Sequence, residues 1–141
     1  MRPEKILFET QMTATGGRDG SATSPDGRLT LSLSVPKALG GPGGDGTNPE
    51  QLFAAGYAAC FLSALKLMGR LNKTPLPDDT AVTVKVGMGP VEVGYALTAE
   101  LSIDIPGIDR TVAETLAAGA HQRCPYSRAI RGNVDVTIRM A

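Results

Sequence analysis

Five side chains in this 141-residue chain have types and spacings that could do chemistry: Cys60, Cys124, His121, Arg18 and Glu50. Cys60 sits in "NPEQLFAAGYAACFLSALK", Cys124 and His121 in "HQRCPYS", and Arg18 in "TATGGRDG". A free cysteine often behaves as a small hydrophobe. Taken alone, Cys60 reads that way, since Ala59, Phe61 and Ala64 surround it. Cys124 stands directly before Pro125, at a break where it could cap the turn that follows. A helix N-terminus favours the thiolate and lowers a thiol's pKa.

Three chemistries compete for these residues. His121 and Cys124 have His-x-x-Cys spacing, and with Cys60 they would supply three metal ligands. A structural zinc site prefers four nitrogen or sulfur ligands, so the set is short by one. His121 reads better as a hydrogen-bonded imidazole beside the buried stripe of a helix. A Cys-His hydrolase needs a base at its nucleophile, and the single histidine could serve only one thiol. A two-cysteine peroxidase uses both: one thiolate takes oxygen from a peroxide, and the second thiol condenses with the sulfenic acid to a disulfide.

That last chemistry needs a cation beside the thiolate and a resolving thiol within bonding distance. Cys60 would be the first thiol, in an apolar setting, and Cys124 the second. Arg18 is the candidate cation, because its flanking glycines let the backbone approach other elements closely. Glu50 could hold that guanidinium as a bidentate partner. The bland alternatives are a solvated loop arginine and a first-turn glutamate that stabilises its helix. Ten residues separate Glu50 from Cys60, about 15 Å of helix axis. If Arg18 and Glu50 serve Cys60, the site therefore combines two chains across a two-fold axis.

The elements that must position these residues read as an α+β domain spanning residues 1–141. "KILFETQMTAT" and "SPDGRLTLSLSV" read as strands, the second after an Asp26-Gly27 turn. The loop "PKALGGPGGDGTNP" leads to a helix start at Asn48, Pro49 and Gln51. The helix runs to about Arg70 or Asn72 and is apolar on nearly every face, so protein should surround it. Its Ala54, Ala55, Gly56, Ala58 and Ala59 permit close approach of another backbone. "AVTVKVGMG" and "YALTAELSIDIP" form two more strands. "DRTVAETLAAGAHQR" forms a helix with Val112, Leu116, Ala120, Ala113 and Ala117 buried, and "NVDVTIRM" a last strand.

Composition narrows the function classes. Lys plus Arg equals Asp plus Glu at 14 each, so nothing in the charge balance favours nucleic acid or an anionic membrane surface. The N-terminus lacks the apolar core of a secretory signal. The apolar run Leu52–Leu65, at 14 residues, is too short to span a bilayer. Both point to the cytoplasm, where two cysteines are redox-active, metal-binding or inert.

"NPEQLFAAGYAACF" and "CPYSRAIRGNVDV", preceded by "TATGGRDG", resemble the OsmC/Ohr family, and "EQLFAAGY" points to its Ohr branch. The resemblance implies an intertwined homodimer of two main helices packed with curved, mostly antiparallel sheets. It implies a thiol peroxidase for alkyl and fatty-acid hydroperoxides with no metal, haem or other cofactor. Cys60 would be the peroxidatic cysteine, Cys124 the resolving one, Arg18 the activator and Glu50 its orienting partner. A dithiol of the lipoyl type would reduce the disulfide. Arg123, Arg128 and Ile130 depart from the family pattern, and the added cations bear on the pKa of Cys124 and on reductant preference. A non-catalytic redox switch using the same cysteine pair is the alternative.

Overall fold

The computed structural model describes residues 1–141. It comprises two compact units, Met1–Pro49 and Glu50–Ala141. The α+β class expected from the sequence is the class observed, with two main helices and two three-stranded sheets.

In the first unit β1 (Thr13–Thr15), β2 (Ser21–Thr23) and β3 (Thr30–Ser32) form an antiparallel sheet in that order. The β1–β2 connection is a 3-10 turn, Gly17–Asp19, that carries Arg18. Gly16 and Gly17 have φ of 76° and 63°, a region L-residues with a side chain rarely adopt. A Cβ on Gly20 would collide with Thr15 O. The β2–β3 turn forms around Asp26-Gly27 as expected, with Asp26 Oδ1 accepting from Ser24 Oγ at 2.7 Å and from the Arg28 amide at 3.0 Å.

The expected strand "KILFETQMTAT" is corrected to three residues. A strand exists only where a neighbour takes its backbone hydrogen bonds, and this chain supplies one only opposite Thr13–Thr15. Leu7 and Phe8, upstream of it, are 87% and 81% exposed.

In the second unit α1 (Pro49–Leu71) begins at the predicted proline. Strands β4 (Ala81–Pro90) and β5 (Tyr95–Asp104) pair antiparallel along their whole length, Ala81 facing Asp104 and Pro90 facing Tyr95. β6 (Asp135–Met140) adds to the other side of β5 in parallel. β5 is thus central, and its inward residues Ala99, Leu101 and Ile103 are buried at period two.

Helix α2 (Arg110–Arg123) starts where Asp109 Oδ1 accepts from the amides of Thr111 and Val112. It buries Ala113, Leu116, Ala117 and Ala120. Val112, expected in that stripe, is 39% exposed; at about 100° per residue it lies roughly 90° from the centre of the 113/116/117/120 set, at the edge of the face. A six-residue helix α3 (Pro125–Ile130) follows. The core joins Tyr57, Phe61 and Leu65 of α1 to Leu101, Ile103, Leu116, Ala120 and Cys124.

Helix α1 departs from expectation in one respect. Its sequence is apolar on nearly every face and calls for surrounding protein, and in the single chain Ala55, Ala59 and Ser63, four residues apart, form an exposed stripe. At 23 residues α1 is also long and apolar enough to cross a membrane by length and composition, unlike the 14-residue run within it. A core helix meets the same criterion, and Tyr57, Phe61 and Leu65 are fully buried in this protein's core.

Candidate active site around Cys60 and Cys124

Sequence chemistry at Pro125 builds the site. A residue before proline is driven out of the α region, and Cys124 accordingly has φ −59° and ψ 123°, which ends α2. Proline suits the first turn of a helix, so α3 restarts at once. The corner is fixed on both sides: the Cys124 amide donates to Ala120 O at 2.8 Å, and Cys124 O accepts from the Arg128 amide at 2.9 Å. Cys124 is the N-cap of α3, as the sequence suggested, but its side chain makes no capping hydrogen bond.

That thiol turns instead toward α1. Cys60 and Cys124 are both free, and their side chains are within hydrogen-bonding reach of each other. Cys124 is fully buried, whereas Cys60 is half-buried. The amide of Tyr126 donates to Cys60 Sγ. Burial pushes the Cys60 thiol above its ordinary 9.0, with the charge of Cys124 and the Cys124 hydrogen bond adding to the rise; the Tyr126 amide acts in the opposite direction.

An aromatic wall flanks the pair. Tyr126 stacks on Tyr57 with ring centroids 5.8 Å apart and planes at 20°, and Phe53 meets Tyr57 and Tyr126 edge-on at 5.9 and 6.1 Å. Gly56 explains itself here: a Cβ on it would lie 2.5 Å from the Tyr126 hydroxyl oxygen. The small residues of α1 were expected to admit another backbone, and at Gly56 they admit a phenol.

His121 is a hydrogen-bonded imidazole, as the sequence suggested. Its Nδ1 lies 2.9 Å from Ser127 Oγ, which lies 2.7 Å from the Tyr57 hydroxyl. Burial, then the charge of Arg131, lowers the His121 pKa from 6.5. Burial raises that of Tyr57, which stays a neutral phenol. No three His, Cys, Asp or Glu side chains converge as metal ligands would.

The other predicted residues lie apart along the chain. Glu50 occupies the first turn of α1 and is half-buried, with about 15 Å of helix axis between it and Cys60. Arg18 belongs to the Met1–Pro49 unit and is half-buried in its 3-10 turn. Of the departing cations, Arg123 is exposed, and Arg128 Nη1 donates to Gln122 O at 3.4 Å. A groove of about 420 Å³ lined by Arg110, Glu114, His121, Ile138 and Arg139 contains neither cysteine. Its two arginines are ion-paired, Arg110 with Glu114 at 3.1 Å and Arg139 with Glu100 at 2.9 Å.

Tyr57, Tyr126 and Ser127 are the site residues that reasoning from single residues missed. Their one sequence signal was membership of the two motifs around the cysteines.

Comparison with known proteins gives consistent relatives. The family described as "OsmC-like protein" matches residues 41–139. An organic hydroperoxide resistance protein of Xanthomonas axonopodis pathovar citri is 52% identical over 139 residues, covering 99% of this chain and 98% of that protein. A solved organic hydroperoxide resistance protein from Legionella pneumophila superposes with a TM-score of 0.91 at 47% identity, over 97% of this chain and 99% of that one. One from Vibrio cholerae, with captopril in one of its active sites, gives 0.92 at 43% identity, over 99% and 95%.

Proposed function

The chain belongs to the OsmC-like protein family, and on that premise we propose that it is a thiol-dependent peroxidase that reduces organic hydroperoxides. The observation that carries this is the pair of free cysteines, Cys60 and Cys124, within hydrogen-bonding reach and with an amide aimed at Cys60 Sγ. The names of the relatives supply the substrate class, organic hydroperoxides. The accessible rings of Phe53 and Tyr126, backed by the buried Tyr57, suit an alkyl or fatty-acid tail.

In this reaction the Cys60 thiolate attacks one peroxide oxygen, the O–O bond breaks, and the alkoxide takes a proton to leave as the alcohol. Cys60 is then a sulfenic acid. The Cys124 thiol condenses with it, forming the S–S bond and releasing water. A dithiol, of the lipoyl type, reduces the Cys60–Cys124 disulfide by exchange and is itself oxidised. No cofactor enters this scheme.

Arg18 is assigned to the thiolate and Glu50 to Arg18. Because Glu50 lies about 15 Å along α1 from its own Cys60, the assignment is made across a homodimer, each Glu50 serving the partner subunit's site. The exposed Ala55, Ala59, Ser63 stripe supports a helix–helix seat for a second copy, since small residues allow close packing. Residues 1–141 are read as one OsmC/Ohr-like domain, supported by relatives aligned over 139 residues, and as a cytoplasmic protein.

Counting turnovers tests the proposal. With excess dihydrolipoamide the protein should consume many equivalents of cumene hydroperoxide, and Cys60→Ser should abolish this. Consumption of a single equivalent would make the pair a redox switch instead, and an active Cys60→Ser would remove Cys60 from the reaction.

A further inference from the structure

Helix α3 supplies the amide against Cys60 Sγ and follows directly on Cys124, yet it has only six residues. A helix of that length has no stability of its own, so its seat must come from tertiary contacts. Three of them are visible. Arg131 Nη2 donates to His121 O at 2.6 Å and Arg128 Nη1 to Gln122 O at 3.4 Å, filling two carbonyls that the end of α2 leaves open. The third is internal. Ser127 is fully buried, and its hydroxyl bridges Tyr57 of α1 and His121 of α2.

A serine suits this place because one hydroxyl can donate to one neighbour and accept from the other at once. Threonine's extra methyl or alanine's missing oxygen would not serve equally in a fully buried position. The chain Tyr57–Ser127–His121 therefore ties all three helices at one atom, three residues after Cys124 and one after Tyr126.

We propose that Ser127, with Tyr57 and His121, is a positioning residue that seats α3 so that Cys124 and the Tyr126 amide both meet Cys60. Loss of the Ser127 hydroxyl leaves the fully buried Tyr57 hydroxyl unpaired and takes the partner of the half-buried His121 Nδ1, and α3 shifts to satisfy them. The two sulfurs then meet less often, and Cys60 loses the amide that holds its thiolate. The inference rests on Cys60 and Cys124 as the redox pair, but it concerns geometry that can be measured without any peroxide.

The experiment uses the full chain. Diamide-driven closure of the Cys60–Cys124 disulfide is followed in the parent, Ser127→Ala and Tyr57→Phe. The Cys60 thiolate is titrated by ultraviolet absorbance with Cys124→Ala added to each. Ser127→Ala should slow closure about tenfold and move the titration up by about one pH unit, a tenfold drop in thiolate at fixed pH. Tyr57→Phe, which keeps the ring, should shift both readouts in the same directions. Ile103→Val, a core change on β5, should lower stability and move neither. Should Ser127→Ala fail to fold, Tyr57→Phe decides by the same two readouts. Parent-like closure and titration in the folded variants overturn the proposal and leave the peroxidase reading standing. A parent that forms no Cys60–Cys124 disulfide overturns both.

Discussion

Replacing Arg18 by alanine puts the proposed site under its most quantitative test. Within Glu50–Ala141, burial and Cys124 push the Cys60 thiol above 9.0, and the Tyr126 amide only offsets part of that. Two pH units below such a value, no more than about one molecule in 100 is ionised. The peroxide is attacked by the thiolate, not the thiol. If Arg18 keeps Cys60 ionised in the intact protein, Arg18→Ala should lower the second-order rate constant at neutral pH by about 100-fold, roughly 2.7 kcal/mol. The variant's rate should also climb about tenfold per pH unit through the mildly alkaline range, while the parent's stays nearly flat. Arg18→Lys should fall between them, because it keeps the charge and loses the bidentate fork. Rapid-quench mass spectrometry of the Cys60 sulfenate, with cumene hydroperoxide in excess and Cys124→Ser as background, reads the step directly. An Arg18→Ala rate within about threefold of the parent, less than about 0.7 kcal/mol, together with a flat pH profile would remove Arg18 from the thiolate.

Three further outcomes follow from the same geometry. Cys124→Ser should reduce about one equivalent of hydroperoxide per chain and stop at a sulfenic acid that dimedone traps, because the condensing thiol is gone; an internal disulfide in its mass spectrum is impossible, so sustained turnover with dihydrolipoamide at the parent rate would show that Cys124 is not needed for resolution. Mixing and refolding Glu50→Ala with Cys60→Ser chains should regenerate activity that neither variant has alone, since each hybrid dimer holds one intact Cys60 opposite one intact Glu50; a mixture no better than its components would place Glu50 elsewhere. His121, whose pKa is lowered from 6.5 in the folded chain, contributes stability that is present above 6.5 and lost as pH falls through its folded value, because only the unfolded chain takes up the proton at first. Urea unfolding should therefore show destabilisation that sets in below pH 6.5 and levels off below the folded value, weaker in His121→Gln; parallel curves for the two proteins would refute the linkage.

How far the sequence could be read depends on whether a signal is local. The start of α1 at Pro49, the Asp26-Gly27 turn and the break at Cys124–Pro125 all follow from backbone restrictions of one or two residues, and all appear where expected. Strands β4, β5 and β6 were legible because each alternates against one buried face. Their order was not, since nothing in "NVDVTIRM" says that it pairs in parallel with β5. The N-terminal strand failed for a related reason: pairing, not propensity, makes a strand, and a partner for residues 5–12 is not encoded beside them. Within the site, the two thiols could be picked out by type, but their meeting depends on α3 folding back on α1. Ser127 was invisible, because a serine in a turn is ordinary and only its burial between Tyr57 and His121 gives it a task.

In the proposed reaction the substrate and the nucleophile place opposing demands on α1. An alkyl hydroperoxide is best received there by apolar and aromatic surface, of which the rings of Phe53 and Tyr126 are the accessible part, backed by the buried Tyr57 and Phe61. The same surface desolvates Cys60 and favours the thiol over the thiolate. A cation built permanently into that wall would restore the thiolate but wet the pocket and cost tail affinity. One backbone amide is a compromise, since it supports the thiolate without adding a formal charge to the apolar surface. The remaining stabilisation is then best carried by a cation on a separate element, the role proposed for Arg18 in its glycine-flanked turn. If Arg18 is that cation, its place in a loop, away from the apolar helix in sequence, suits the chemistry of the substrate as much as that of the thiol.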